Sequence, residues 1–126
     1  MIDHAGLRVS DIAKAKDFYS KALAPLGYEM IAEYAEYKVA GFGEPPKADF
    51  WLSAGEGFED TNHVAFAAKD KAAVDGFYKA GIAAGGTDNG APGYRKDYSP
   101  GYYAAFVKDL DGHNIEVVFH DPNPSE

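Results

Sequence analysis

A chain of 126 residues with 46% hydrophobic and 25% charged residues has the composition of one ordinary globular domain, which removes roughly two-thirds of its unfolded surface from water, and not that of a disordered, collagenous or membrane protein. Its formal net charge of −8 repels a phosphate backbone and argues against nucleic acid as a partner, while the absence of cysteine excludes disulfides, thiolate metal sites and a cysteine nucleophile. No apolar run reaches the roughly 20 residues of a membrane helix and no basic and apolar leader opens the chain, so the sequence reads as cytoplasmic, with no membrane partner.

In chain order, residues 2–9 alternate as a strand does, with Leu7 and Val9 on one face and His4, Gly6 and Arg8 on the other. A helix follows. Ala15, Phe18, Tyr19, Ala22 and Leu23 recur along one of its faces, and Ser10 stands just before it as a good N-cap. Gly27 comes shortly after its end, and shorter strands are expected over 28–34, 37–42 and 50–54.

The pattern then restarts. One shift, the 59 residues from His4 to His63, also superposes Asp11 on Asp70, Ala13 on Ala72, Phe18 on Phe77, Tyr19 on Tyr78 and Gly27 on Gly86. A strand over 62–68 puts Val64 and Phe66 on one face and His63, Ala65 and Ala67 on the other. The helix after Asp70 aligns Val74, Phe77, Tyr78 and Ile82. Residues 87–101, with Gly90, Pro92, Gly93, Pro100 and Gly101, read as a loop over one face, corresponding to 41–47 in the first half. Strands over 102–107 and 114–119 are joined by the turn Asp109-Leu110-Asp111-Gly112. In the last strand Ile115, Val117 and Phe119 oppose Asn114, Glu116, Val118 and His120.

His4, His63 and Glu116 thus all sit on the strand face away from the helices. Singly each has a bland reading, because a lone His is usually structural and a Glu on an open sheet face is usually solvated. Repetition of the His in both halves favours the sharper one. Two imidazoles and a carboxylate form a facial triad with open positions for substrate, and they accept zinc, nickel, manganese, cobalt or iron(II). His113, beside Gly112, reads as a surface residue, and His120 lies near the chain end.

Asp3-His4, the helical Phe18-Tyr19, Asn62-His63-Val64-Ala65-Phe66 and the closing Asp109-Leu110-Asp111-Gly112-His113-Asn114-Ile115-Glu116 together resemble the vicinal-oxygen-chelate superfamily of glyoxalases, bleomycin-resistance proteins and extradiol dioxygenases. The resemblance covers nearly the whole chain. It implies an α+β fold of two βαβββ modules, about 1–55 and 60–120 of a single domain over 1–126, forming a cupped mixed sheet with helices on the outer face. It further implies a homodimer, a small-molecule substrate and a divalent metal ion held by His4, His63 and Glu116, the last also catalytic.

One position departs from glyoxalase I, whose second carboxylate falls where this chain has Trp51, with Asp49 two residues early. The resemblance therefore implies a glyoxalase-like lyase or isomerase other than glyoxalase I. Its alternatives are an extradiol-type dioxygenase, a thiol transferase or a non-catalytic small-molecule binding protein of the resistance kind. Trp51 as a flat wall, Arg95 toward an anionic group and Tyr103 are the candidate substrate-binding residues, and Tyr98, Tyr102, Tyr103 again and His120 are acid–base candidates.

Overall fold

Alternation along short strands and one apolar stripe per helix place much of the apolar core, and the computed structural model, which describes residues 1–55 and 61–124, shows where these side chains meet. Residue 60, at the expected start of the second module, and residues 125–126 lie outside the described residues. The elements are β1 (Ala5–Val9), α1 (Ile12–Ala22), β2 (Glu29–Tyr34), β3 (Val39–Gly43), β4 (Phe50–Ala54), β5 (His63–Ala67), α2 (Lys71–Ala83), β6 (Thr87–Tyr94), β7 (Tyr102–Lys108) and β8 (Asn114–His120). They form two mixed four-stranded sheets, ordered β1-β4-β3-β2 and β5-β8-β7-β6. Each first strand runs parallel to its fourth, and the other pairings are antiparallel. This is the βαβββ unit written twice.

Ala15, Phe18, Tyr19 and Ala22 of α1 are buried as their spacing requires. In α2 the buried set is Val74, Phe77 and Gly81, whereas Ile82, expected on that face, is exposed. Gly81 takes the contact instead, because its backbone rests on the side chain of Val107. α1 packs on α2, and one continuous core joins both modules, with Phe50 meeting Phe66 edge-on at 5.1 Å. Full burial of aromatic side chains such as Phe18 and Phe77 stabilises by roughly 1.5–3 kcal/mol each. The helix-covered faces of both sheets share that core, which leaves each sheet a strand-only face.

Several expectations are corrected. Asp11, not Ser10, caps α1, its carboxylate accepting from Lys14 N–H. The stretch read as a loop from residue 87 is largely β6, an edge strand whose register breaks between Asp88 and Gly90 and between Gly90 and Gly93. Those bulges absorb Pro92, which cannot donate to a ladder. By sheet order the counterpart of β6 is β2, not 41–47. After α2 it is Gly85, at φ 107°, that leaves helical geometry, while a Cβ on Gly86 would strike Val107 at 2.5 Å. Among the described residues no helix is long and apolar enough to cross a membrane.

Candidate metal-binding and substrate face

Parallel pairing of β5 with β8 sets His63 opposite Asn114 and Ala65 opposite Glu116. His63 and Glu116 lie on the same strand-only face, one pair apart, a diagonal that long side chains span. The His63 Nε2 and Glu116 Oε1 atoms approach to 3.0 Å. The Nδ1 atom of His63 lies 3.0 Å from the Asn114 carbonyl oxygen. A carbonyl only accepts, so Nδ1 carries a proton and Nε2 is the nitrogen turned to the carboxylate.

Glu116 is buried although it is charged in its ordinary state, with its side chain 4% exposed. Such a carboxylate needs a donor or a cation at each oxygen. Oε2 has one, the Tyr102 hydroxyl. Burial first, and then the hydrogen bond to Glu116 and its charge, push the Tyr102 phenol up to about 12, so it stays a donor throughout the physiological range. Oε1 faces Nε2, and the space between them takes a proton on His63 or a cation shared by both. Each of the two side chains is oriented through its far side by a hydrogen bond, a feature that metal ligands held by outer partners also have.

The rest of this face is aromatic. Phe106 stands opposite Glu116 on β7, and its ring stacks 6.4 Å from that of His63. The Arg95 guanidinium lies 5.4 Å from the centroid of the Phe106 ring and donates to the carbonyls of Gly93 and Ala91. Tyr102 meets Tyr98 and His120 edge-on. Tyr103, next in the chain, points to the opposite, helix-covered side, where its hydroxyl donates to Asp75 of α2.

His4 lies just before β1 and is exposed, with Nδ1 2.9 Å from Asp3. With His63 and Asp49 it lines a cavity of about 410 Å³ between the start of β1 and β5, which Glu116 does not line. Asp49 accepts there from the Tyr28 hydroxyl. Among the described residues no three His, Asp or Glu side chains come together as a group able to hold a metal. The structure therefore pairs His63 with Glu116, while His4 shares a cavity with His63 but joins no three-residue group with the pair.

Trp51 occupies the first-module position that Glu116 has in the second, since Gly6 pairs with Trp51 as Ala65 pairs with Glu116. Its ring lies over Gly41, where any Cβ would come within 2.7 Å, and stacks nearly parallel to Tyr34.

Two residues carry more of this region than their sequence reading gave them. His113, expected at the surface, is fully buried. Asp109 is buried too and accepts from the Tyr19 hydroxyl and from the backbone N–H groups of Asp111 and His113. Asp111 accepts from Ser10 N–H, so the closing turn latches onto the first module. Alternation along β7 groups Tyr102 with Phe106 on one face, which the pairing of Phe106 with Glu116 identifies as the Glu116 side, but nothing local to His113 marked it as buried.

The chain matches, over residues 1–117, the family model described as Glyoxalase/Bleomycin resistance protein/Dioxygenase superfamily. Among solved structures it is similar to a glyoxalase/bleomycin resistance protein from Albidiferax ferrireducens, at 28% identity and a TM-score of 0.80, with 94% of this chain and 98% of that chain covered. It is also similar to a glyoxalase I mutant from Zea mays, at 25% identity and a TM-score of 0.68, covering 93% of this chain and 46% of that one. A mutant fosfomycin resistance protein from Listeria monocytogenes, complexed with Mn(II) and 1S,2S-dihydroxypropylphosphonic acid, shares the fold at 20% identity and a TM-score of 0.69, with 94% and 88% covered. No curated protein matches the chain.

Proposed function

We propose that this chain, which belongs to the Glyoxalase/Bleomycin resistance protein/Dioxygenase superfamily, is a metal-dependent enzyme of the lyase or isomerase kind, distinct from glyoxalase I, acting on a small molecule with adjacent oxygen atoms. The observation that carries this reading is the 3.0 Å approach of His63 Nε2 to Glu116 Oε1 on a face lined by aromatic and small residues. A divalent ion fits that donor pair, and the third ligand in this reading is His4 of a second copy of the chain. When bound, the ion supplies Lewis-acid stabilisation of charge developing on substrate oxygen.

The chain's own residues have defined tasks. Asn114 fixes the tautomer that turns Nε2 of His63 toward Glu116, and Tyr102 holds Oε2 so that Oε1 faces inward. A homodimer that sets the open face of the first sheet of one copy against that of the second sheet of the other encloses two equivalent sites. Trp51, with Tyr34, then walls the side opposite Glu116, and Arg95 borders the face beyond Phe106. Trp51 can neither ligate nor accept a proton, which removes the second carboxylate that glyoxalase I chemistry uses as its base. The solved relative holding Mn(II) supports a metal in this fold.

The test is metal analysis of protein purified without chelators or a nickel column, with Glu116→Gln alongside. The native protein is expected to carry a stoichiometric divalent metal and the variant to lose most of it. Native protein that takes up no zinc, manganese, nickel, cobalt or iron(II), yet binds small molecules as the metal-free protein, would establish the binding-only reading instead.

A further inference from the structure

We infer that His113 is a positioning residue that holds His63 in its ligand geometry. The inference rests on the reading of His63 and Glu116 as ligands, but its geometry stands by itself. His113 is fully buried between the two modules. Its Nδ1 accepts from the Asn62 backbone N–H at 3.0 Å, and its Nε2 lies 2.7 Å from the Arg8 carbonyl oxygen. A backbone N–H only donates and a carbonyl only accepts, so the ring is neutral with its proton on Nε2. One imidazole thus joins β1, which follows His4, to the residue immediately before His63.

The hold on His63 is completed next door. Asn114 N–H donates to the Asn62 carbonyl at 2.9 Å, and the Asn114 carbonyl accepts from His63 Nδ1. Residues 113 and 114 therefore grip 62 and 63 through three hydrogen bonds. β5 is an edge strand, paired only with β8, and at its start the His113 ring supplies the partner that a neighbouring strand would otherwise give to Asn62. The ring itself cannot drift, because the His113 N–H donates to Asp109 Oδ1 at 2.8 Å and the His113 carbonyl accepts from Asp109 N–H at 3.0 Å.

Two substitutions separate the two ends of the ring. In His113→Asn the side-chain oxygen takes the place of Nδ1 and keeps Asn62, while the contact to Arg8 is lost. In His113→Gln the amide nitrogen reaches the place of Nε2 and keeps Arg8, while the acceptor for Asn62 is lost. Two readouts are needed: the imidazole nitrogen NMR signals of His63 in metal-free protein, and Zn(II) affinity by calorimetry. Both variants are expected to melt earlier than the native protein. Only His113→Gln is expected to lose the fixed Nδ1–H tautomer of His63 and to bind Zn(II) about 10–100-fold more weakly. If His113→Gln does not fold, Asn62→Pro deletes the donor instead of the acceptor and should give the same two losses.

Unchanged His63 signals in His113→Gln, or equal losses in both variants, overturn the inference and show His113 to be structural only. Native protein that binds no Zn(II), with the His63 signals still separating the two variants, supports the positioning role and removes the metal reading alone.

Discussion

Glu116 reaches His63 across one diagonal of the β5–β8 ladder, and the first module repeats that diagonal between Trp51 and the residue position of His4. Ala65 pairs with Glu116 and Gly6 with Trp51, each two residues after a histidine. The repeat thus sets a carboxylate against one histidine and an indole against the other.

From this asymmetry the native protein is expected to show little or no turnover of the methylglyoxal–glutathione hemithioacetal, because a positioned base is typically worth about 10²–10⁴-fold. Trp51→Glu should gain detectable turnover, since Gly41 beneath the indole leaves room for the smaller side chain. An absorbance assay for the product thioester checks both. Robust turnover by the native protein would refute the account of Trp51.

Tyr102 offers a pH test of the contact to Glu116. Its phenol is raised in the folded protein from an ordinary value of 10.0 to about 12, by burial first and then by Glu116. A group whose folded pKa is raised stabilises fully below its unfolded pKa and loses that contribution as the pH climbs through the folded one. Urea unfolding of native protein and Tyr102→Phe should therefore differ most below pH 10 and converge between about pH 10 and pH 12. Tyr103, raised to about 12 by burial and by Asp75 on the other face, remains in both proteins and cancels. A gap between the two proteins that widens with rising pH would contradict the assignment.

Asp109 anchors the closing turn to α1. Removing only its phenol donor, in Tyr19→Phe, should cost about 1.5–3 kcal/mol, the range for a hydrogen bond to a charged group. Asp109→Ala should cost more, because it strands the Tyr19 hydroxyl and the N–H groups of Asp111 and His113 together. Chemical denaturation ranks the two. If Asp109→Ala proves as stable as Tyr19→Phe, the turn is not the latch described.

Much of this was legible in the sequence because its physics is local. Alternation placed His63, Ala65 and Glu116 on one face, helical spacing placed Phe18, Tyr19, Val74 and Phe77 in the core, and the repeat announced two modules. What escaped depended on partners distant in sequence. The burial of His113 comes from Arg8, 105 residues away, and from Asn62. β6 hid behind its glycines and proline because bulges, invisible to a strict period of two, let an edge strand tolerate them. The separation of His4 from Glu116, which line no common cavity and join no common group of metal-binding side chains among the described residues, is a tertiary outcome. Alternation within a strand gives a residue's face, not which sheet shares it.

That separation yields a test of how the site is assembled. If His4 of one copy completes the His63 and Glu116 pair of another, His4→Ala and Glu116→Gln should each abolish tight metal binding as homodimers. Co-expression then forms mixed dimers. In a mixed dimer one of the two sites combines both substitutions, and the other combines an intact His4 with an intact Glu116. With random pairing half the dimers are mixed, so about a quarter of all sites should recover native affinity for Zn(II). Calorimetry on the purified mixture, with each variant alone as control, counts those sites. Complementation requires that the ligands come from different chains, because no mixture of defective single-chain sites creates a whole one. Failure to recover any site, or native affinity in His4→Ala alone, would show that His4 is not a ligand across the dimer and would leave His63 and Glu116 without the third donor assigned to them.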